Sequence, residues 1–285
     1  MNDEIKNRDD LKYYNEKHRP QIHFSPEENW MNDPNGLVYY NGEYHLFYQY
    51  HPHSSVWGPM HWGHAVSEDL LHWEHLPIAL KPDEYVGMAY SGSAVIDWED
   101  TSGFFDGEDG IVLIYTSTLG EEKGGHQQQS IAYSKDNGRS WIKYKDNPVI
   151  SNKDKADFRD PKVFWHKKTQ KWIMVLVSGD RVEFYSSKNL KEWEYLSEFG
   201  EERGAHEGVW ECPDIFPLNS AQQYDEKLWI LKVDVQKGAL AGGSGGQYFI
   251  GHFDGERFIE IENHKEVYWL DNGRDFYAAQ SWNDL

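Results

Sequence analysis

The sequence predicts an all-β fold, because strand-like runs recur along the chain and helical periodicity is scarce. These runs are short, rich in aromatic and β-branched residues, and separated by turn residues such as Gly, Asn and Asp. The first of them, LVYYNGEYHLFYQY over residues 37–50, is typical of a hairpin in which Asn41 and Gly42 form a type I′ turn.

Later runs of the same character predict the remaining strands in order along the chain. Each is short enough to be a single strand and lacks the apolar spacing of an amphipathic helix. They are SGSAVID (91–97), GIVLIYTST (110–118), KVFWH (162–166), KWIMVLVSG (171–179), VEFYSS (182–187), KLWILKVDV (227–235) and QYFIGHF (247–253).

A longer repeat indicates how these strands are grouped. Similar turn segments end at Trp73, Trp141, Trp193 and Phe258, at intervals of roughly 50 to 70 residues, which is the length of one four-stranded propeller blade. The sequence therefore predicts a five-bladed β-propeller whose fifth blade is incomplete at the end of this chain. A β-sandwich with a similar number of strands is the alternative. The first strands of the blades are expected near Leu37, Ser93, Val163, Ile215 and Tyr277.

The domain organisation is predicted to be simple. No Gly/Ser-rich or Pro-rich linker divides the chain, so we expect one propeller domain over residues 21–285 after an N-terminal extension, residues 1–20. The extension is polar and lacks the apolar core of a signal peptide, which predicts a cytoplasmic protein, or a secreted one if a leader has been removed. The single cysteine, Cys212, excludes an internal disulfide.

The charge of the chain narrows the range of partners. With 48 acidic and 28 basic residues the formal net charge is −20, which argues against nucleic acid or an anionic membrane as a partner. No apolar run approaches the length of a membrane span. Aromatic residues make up 15% of the chain, and their flat faces suit both packing between sheets and stacking on ligand rings. A neutral small molecule or polymer is therefore the expected ligand.

Three acidic residues occur next to predicted first strands of blades. The segment WMNDPNG, residues 30–36, is by itself typical of a turn. However, Asp33 precedes LVYY, Asp160 precedes KVFW, and Glu211 precedes the next inner strand. Because the first strands of all blades line the central channel, these carboxyl groups are expected to meet at one mouth. Like charges there shift one another's pKa, as acid–base catalysis requires.

Together these motifs resemble those of a known family. The set WMNDPNG, FRDP and WECP is similar to glycoside hydrolase family 32, the β-fructosidases that include invertases, levanases and exo-inulinases. The resemblance implies a five-bladed propeller followed by a β-sandwich, and the sequence stops within the expected fifth blade, so no β-sandwich is expected in it. Further similar segments are FYQYHP (47–52), VWGPMHWGHAVSEDLLHW (56–73), YSGSAV (90–95), GGSGGQYFIGHFDG (242–255) and DNGRDFYAAQSW (271–282).

The resemblance also implies roles for individual residues. Asp33 matches the family's nucleophile, Glu211 its general acid/base, and Asp160 the acid that stabilises the transition state. It implies retention by double displacement, with the Asp33 and Glu211 carboxyls about 5–5.5 Å apart and neither a metal nor a cofactor required. The positions that match the family's residues for terminal fructose are Asn32, Gln49, Trp57, Ser93 and Arg159.

The function that follows from the resemblance is removal of terminal β-D-fructofuranosyl units from levan or inulin, with sucrose as a secondary substrate. The choice between levan and inulin, and between hydrolysis and transfructosylation, stays open at the level of sequence. An alternative is a catalytically weak fragment that binds fructan. Because an incomplete blade exposes strand edges, such a fragment needs an oligomer, a partner chain or its missing C-terminal part.

Other motifs have simpler interpretations. The histidines of HPH (51–53) and HWGH (61–64) lack the Cys or carboxylate spacing of a known metal site, so they predict hydrogen bonds. Trp62 fits sugar stacking and blade packing equally well. The pattern S-x-D-x-G-x-x-W in SKDNGRSW (134–141) also occurs as a turn in sialidase propellers. A sialidase is rejected, because too few arginines occupy inner positions to bind its substrate's carboxylate.

Overall fold

The computed structural model describes residues 15–120, 125–219, 227–261 and 266–285, and its regular structure consists of antiparallel β-sheets. Each sheet is built from consecutive strands and is called a blade here. Blade 1 contains β1 (Trp30–Tyr40), β2 (Glu43–His51), β3 (His61–Ser67) and β4 (Glu74–Leu80); blade 2 contains β5 (Met88–Ile96), β6 (Ile111–Thr118), β7 (Gln127–Ser134) and β8 (Ile142–Lys143); blade 3 contains β9 (Phe158–His166), β10 (Lys171–Ser178), β11 (Val182–Ser187) and β12 (Glu194–Phe199); blade 4 contains β13 (Trp210–Asn219), β14 (Lys227–Val235), β15 (Gly245–Phe253), β16 (Phe258–Glu260) and β17 (Tyr268–Trp269).

The blades are arranged around a common axis. The first strands β1, β5, β9 and β13 contact one another in that order, while the later strands of each blade lie progressively further out. This radial arrangement is a β-propeller, as predicted, and it is not the two-layer packing of a sandwich. The four predicted first strands near Leu37, Ser93, Val163 and Ile215 are confirmed.

The hydrophobic cores lie between adjacent blades. On β6, Ile111 and Leu113 belong to the core between blades 1 and 2, whereas Val112 and Ile114 belong to the core between blades 2 and 3. Successive side chains of a strand point to opposite faces of its sheet, so a blade with neighbours on both sides buries every residue of such a strand. This explains why β6 is a continuous apolar and small-residue run without alternation.

The repeated turns join the third and fourth strands of successive blades. In the first three blades Asp69, Asp136 and Asn189 each accept hydrogen bonds from two backbone N–H groups that lie two to four residues further on. Asp254 does the same in blade 4. Such side-chain-to-backbone bonds stabilise a tight turn. The repeat in the sequence is thus a repeat of one turn structure.

The predicted fifth blade is not formed as a sheet in the described residues. Residues 270–285 make isolated parallel bridges, between Asp275 and Ser244 and between Asn283 and Val38 of β1. The propeller described here therefore has four sheets, where the sequence predicted a fifth that begins near Tyr277.

Asn283 holds this C-terminal segment, residues 270–285, against the axis of the propeller. Its backbone pairs with β1, and its side-chain amide donates to the carbonyl oxygens of Ala94 on β5 (2.7 Å) and Val163 on β9 (3.0 Å). One residue therefore joins the first strands of three blades, and it satisfies two backbone carbonyls that strand pairing leaves open.

The N-terminal part of the chain is described only in part. Of the predicted extension, residues 1–20, the first 14 residues lie outside the described residues. Further on, Phe24 packs against Tyr48 and Trp73 of blade 1, with ring centroids 5.2 and 5.5 Å away. Across the ranges given above, no helix is both long and apolar enough to cross a membrane.

Candidate active site

The N-terminal ends of the four first strands meet at one mouth of the propeller, and each strand is irregular there. A bulge bends a strand and re-aims its side chains, so that residues next to it leave the alternating pattern. The register shifts lie between Met31 and Pro34, Ala89 and Gly92, Arg159 and Lys162, and Glu211 and Asp214.

A cavity of about 480 Å³ opens at this mouth. All the residues that the sequence predicted for the site line it, with the exception of Ser93. They come from blades 1, 3 and 4, so the fold brings together segments that are far apart in the chain. The lining residues are Trp30, Asn32, Asp33, Gln49, Trp57, Tyr90, Ser91, Gln127, Arg159, Asp160, Glu211 and Tyr277.

A chain of hydrogen bonds orients the Asp33 carboxylate. Ser91 donates its hydroxyl to Asp33 Oδ2 at 2.5 Å, and it accepts a bond of the same length from Gln49 Nε2. Asn32 Nδ2 donates to Asp33 Oδ1 at 3.3 Å, and Asn32 is itself held by the indole N–H of Trp30 at 2.8 Å. Both carboxylate oxygens therefore have a donor, which fixes the direction of the side chain.

Ser91, and not Ser93, is the serine of β5 that reaches the cavity. Ser93 lies two residues, or roughly 7 Å, further along the strand, where β5 contacts β9. Its hydroxyl donates to the Pro161 carbonyl (2.8 Å) and accepts from the Val163 amide (2.9 Å), and its side chain is buried. The sequence placed Ser93 among the binding residues, but the convergence of the first strands makes it a link between two blades.

Two donors hold the Glu211 carboxyl group. Arg159 Nη2 donates to Oε1 and Gln236 Nε2 donates to Oε2, each at 2.9 Å. Burial alone would lower the pKa of Arg159, but the negative charges of Asp160, Glu211 and Asp157 raise it above its usual range. The guanidinium is therefore permanently charged and partly neutralises the acids around the cavity.

Asp160 is the most buried of the three acids, and its backbone is strained. It is 5% exposed, and its Oδ2 accepts a hydrogen bond from the Cys212 amide at 2.9 Å. Asp160 and Cys212 have φ angles of 61° and 48°, a region that residues other than glycine seldom adopt. Burial, with the charges of Asp33 and Glu211, raises the pKa of Asp160 to about 7, against the opposing effects of Arg159 and the Cys212 amide.

The raised pKa of Asp160 predicts that the free energy of unfolding falls as the pH rises. Since folded Asp160 binds its proton more tightly than unfolded Asp160, its favourable contribution is full below about pH 4 and is lost as the pH rises through about 7. Asp160→Asn, which stays neutral, should therefore gain stability over the wild type as the pH rises from about 5 to about 8. Urea unfolding at several pH values measures the difference. The exposed Asp180→Asn serves as the control, and a difference for Asp160→Asn that stays constant with pH would contradict the assignment.

Aromatic side chains have two different roles near the cavity. Trp57 is 52% exposed, and its ring lies 6.4 Å from that of Tyr90, so the two form an open aromatic wall. Trp62, in contrast, is fully buried and donates its indole N–H to the Tyr90 carbonyl at 2.8 Å. Trp62 therefore packs the blade. No cluster of His, Cys, Asp or Glu suited to a metal ion occurs within the described ranges.

Several cavity residues were not found from the sequence. Ser91, Tyr90 and Gln127 carry no acidic or turn motif, and Gln127 lies on the third strand of blade 2. Tyr277 comes from the C-terminal segment, and its hydroxyl is buried without a hydrogen-bond partner among the residues described. The YSGSAV and DFYA segments were the available signals for Ser91 and Tyr277, but only packing shows which side chain faces the cavity.

A protein-family model matches most of the chain. Residues 23–285 match the glycosyl hydrolases family 32 N-terminal domain. The chain belongs to this family. The resemblance seen in the acidic motifs is thereby confirmed, and the family 32 match extends over all four blades and the C-terminal segment.

Individual family 32 relatives are similar over nearly the whole chain. A levanase of Bacillus subtilis is 60% identical over 277 residues, which cover 97% of this chain and 40% of the relative. Invertase 1 of Saccharomyces cerevisiae is 42% identical and is matched over 93% of this chain and 50% of its own length. The crystal structure of an exo-inulinase from Aspergillus awamori superimposes with a TM-score of 0.87 at 42% identity, covering 95% of this chain and 58% of that one. The chain thus spans about half the length of these relatives.

Proposed function

We propose that this chain is the propeller part of a β-fructosidase that removes terminal β-fructofuranosyl units from levan, inulin or sucrose. The observation that carries the proposal is the set of three carboxyl groups, Asp33, Asp160 and Glu211, that line one cavity from three different blades. The names of the relatives, levanase, invertase and exo-inulinase, support the same substrate class.

The proposed reaction is a double displacement. Asp33, oriented by Ser91 and Asn32, attacks the anomeric carbon of the fructosyl unit, while Glu211 protonates the leaving oxygen. Glu211 then removes a proton from water, and this water releases fructose from the Asp33 ester. Because burial raises the pKa of Asp160 to about 7, its carboxyl group can both donate to and accept from the hydroxyls of the fructosyl ring.

Action at the chain end of the substrate fits the shape of the cavity. Asn283 joins β1, β5 and β9 across the axis, further along these strands than the acids, so the channel does not offer a continuous passage for a polymer. A cavity of about 480 Å³ is the size that suits a terminal sugar and its neighbour. Trp57 at the rim offers a face for stacking that neighbour.

We also propose that the C-terminal segment is the beginning of a fifth blade in a longer protein. It runs beside β1, contributes Tyr277 to the cavity, and lies where the first strand of a further blade belongs. A β-sandwich following it would agree with the relatives, which extend well beyond the matched region.

The test of the proposed function is fructose release by this chain from levan, inulin and sucrose. Fructose as the first product, without larger oligosaccharides, is the expected result. Absence of fructose from a chain that is folded by circular dichroism would overturn the proposal. If that chain still bound levan, a fructan-binding fragment would replace the enzyme as the conclusion.

Two serines on one strand give a matched pair of variants. Ser91→Ala removes the hydrogen bond to Asp33 and should lower kcat/KM by roughly 10- to 100-fold, because bonds to charged groups contribute about 1.5–3 kcal/mol. Ser93→Ala breaks a link between β5 and β9, so it should lower the free energy of unfolding by about 1–3 kcal/mol with little change in turnover. Kinetics and urea unfolding of both variants check the pair. If instead Ser93→Ala lowered kcat/KM and Ser91→Ala lowered only the free energy of unfolding, Ser93 would belong to the substrate-binding residues.

A further inference from the structure

A buried ion pair lies behind the bulge of β13 that carries Glu211. Lys232 and Asp234 are neighbours on β14, with side chains 2% and 0% exposed, and Lys232 Nζ lies 2.6 Å from Asp234 Oδ2. The same ammonium group donates to the carbonyl oxygens of Cys212 (3.2 Å) and Ala279 (2.8 Å). All three protons of the ammonium group therefore have acceptors, which is the condition for burying such a charge.

The contacts of this pair lead to the cavity on two sides. Glu211 pairs directly with Asp234 across β13 and β14, and the next residue, Cys212, has the positive φ angle and the amide that binds Asp160. On the other side, Asp234 Oδ2 accepts the Ala278 amide at 2.7 Å, next to the cavity residue Tyr277. The pair is thus bonded to the backbone directly after the proposed acid/base, at Cys212, and directly after the cavity residue Tyr277, at Ala278 and Ala279.

Stability alone does not explain a buried ion pair. The desolvation of two charges offsets most of their attraction, and well-packed apolar residues are often as stable. The strained backbone at Cys212, however, requires surrounding contacts that hold it in place. A carbonyl acceptor fixed by a buried ammonium group supplies such a contact.

We propose that Lys232, held by Asp234, is a positioning residue that fixes the Glu211–Cys212 backbone and so aims the Glu211 carboxyl group into the cavity. This inference rests on the proposed function for its kinetic consequence, but its structural content does not depend on turnover. Displacing a proton donor by about 1 Å lowers the rate by on the order of 100-fold, without weakening substrate binding to the same degree.

The chain offers a second buried Lys–Asp pair as a matched control. Lys162 and Asp214 are 3% and 2% exposed, 3.4 Å apart, and both bond to Ser281 in the same C-terminal segment. No hydrogen bond in the described structure connects this pair to Glu211 or Cys212. It shares the burial, the charge and the anchoring of the segment, and Asp214 pairs with Lys232 across β13 and β14, but neither of its side chains bonds to the Cys212 carbonyl.

The experiment compares Lys232→Met/Asp234→Asn with Lys162→Met/Asp214→Asn. Urea unfolding gives their stabilities, kinetics on sucrose give kcat and KM, and alkylation of Cys212 under native conditions reports opening of the β13 bulge. Cys212 is the one cysteine of the chain and is buried, so the label has a single target. We expect the first variant alone to lose about tenfold or more in kcat at nearly constant KM. We also expect it to be alkylated several-fold faster than the control at equal stability.

Equal kcat and equal alkylation rates in the two variants would overturn the inference and leave both pairs as anchors of the segment. If the first variant does not fold, Asp234→Asn alone provides the same readouts, because it keeps Lys232 and the shape of the side chain. A wild-type chain that releases no fructose would refute the proposed function, and the alkylation rates would still decide the role of Lys232.

Discussion

Replacing Asp33 by asparagine is expected to reduce fructose release by about 10⁴-fold or more, the order of loss seen when a nucleophile is removed. The amide cannot form the ester with the anomeric carbon, yet it keeps the size of the carboxylate and can still accept the hydrogen bond from Ser91. Sucrose and levan should therefore still bind. Steady-state rates and equilibrium binding measure the two properties separately.

A second set of measurements on Asp33→Asn can contradict the assignment of Asp33 as the nucleophile. The variant should unfold at a urea concentration close to that of the wild type, because the side chain is not part of a hydrophobic core. A folded variant that retains turnover within about tenfold of the wild type would show that Asp33 only orients the substrate, since loss of a covalent step has a much larger effect. Another carboxyl group would then have to be the nucleophile.

Replacing Glu211 by glutamine is expected to lower turnover of sucrose by about 10²- to 10⁴-fold, the usual contribution of a general acid or base. A fructoside with a leaving group that departs without protonation should behave differently. Its first step should remain fast, while the second step lacks the base that activates water. The expected result is a burst of leaving group equal to the enzyme concentration, followed by a slow phase.

The control for Glu211 is Glu207→Gln, an exposed acid four residues earlier that does not line the cavity. This variant should keep the steady-state rates of the wild type. An equal loss on both kinds of substrate in Glu211→Gln, with no burst, would contradict the acid/base role. It would point instead to a loss of substrate binding through Arg159 or Gln236, which hold the carboxyl group.

Much of the fold is predictable because its signals are local. Asn41 and Gly42 both have positive φ angles, as the type I′ turn at the first hairpin requires. The turns held by Asp69, Asp136, Asn189 and Asp254 repeat because each one joins the third and fourth strands of its blade. The fifth blade is different, since the residues near Tyr277 form a sheet only if partner strands are present, and a short motif cannot supply them.

The site residues that could be predicted are those whose type is rare at such a position unless it has a function. Acidic residues at the start of three inner strands lower stability through desolvation and mutual repulsion, so Asp33, Asp160 and Glu211 stand out in the sequence. Gln236 and Ser91 do not, because a polar residue beside a strand is common. Lys232 and Asp234 look like solvent-facing residues of a strand, but they are buried, and Lys232 bonds to Ala279 of the C-terminal segment.

The bond between Asn283 and β1 has a consequence for the order of events during synthesis. A ribosome releases residues in sequence order, and local hairpins such as β1–β2 can form as soon as they emerge. Joining Val38 to Asn283, in contrast, closes a loop of almost the entire chain, and contacts so distant in sequence form slowly. Until that closure, β1 lacks its partner at the axis and the cavity lacks Tyr277. The nascent chain should therefore form its first blades before its complete cavity.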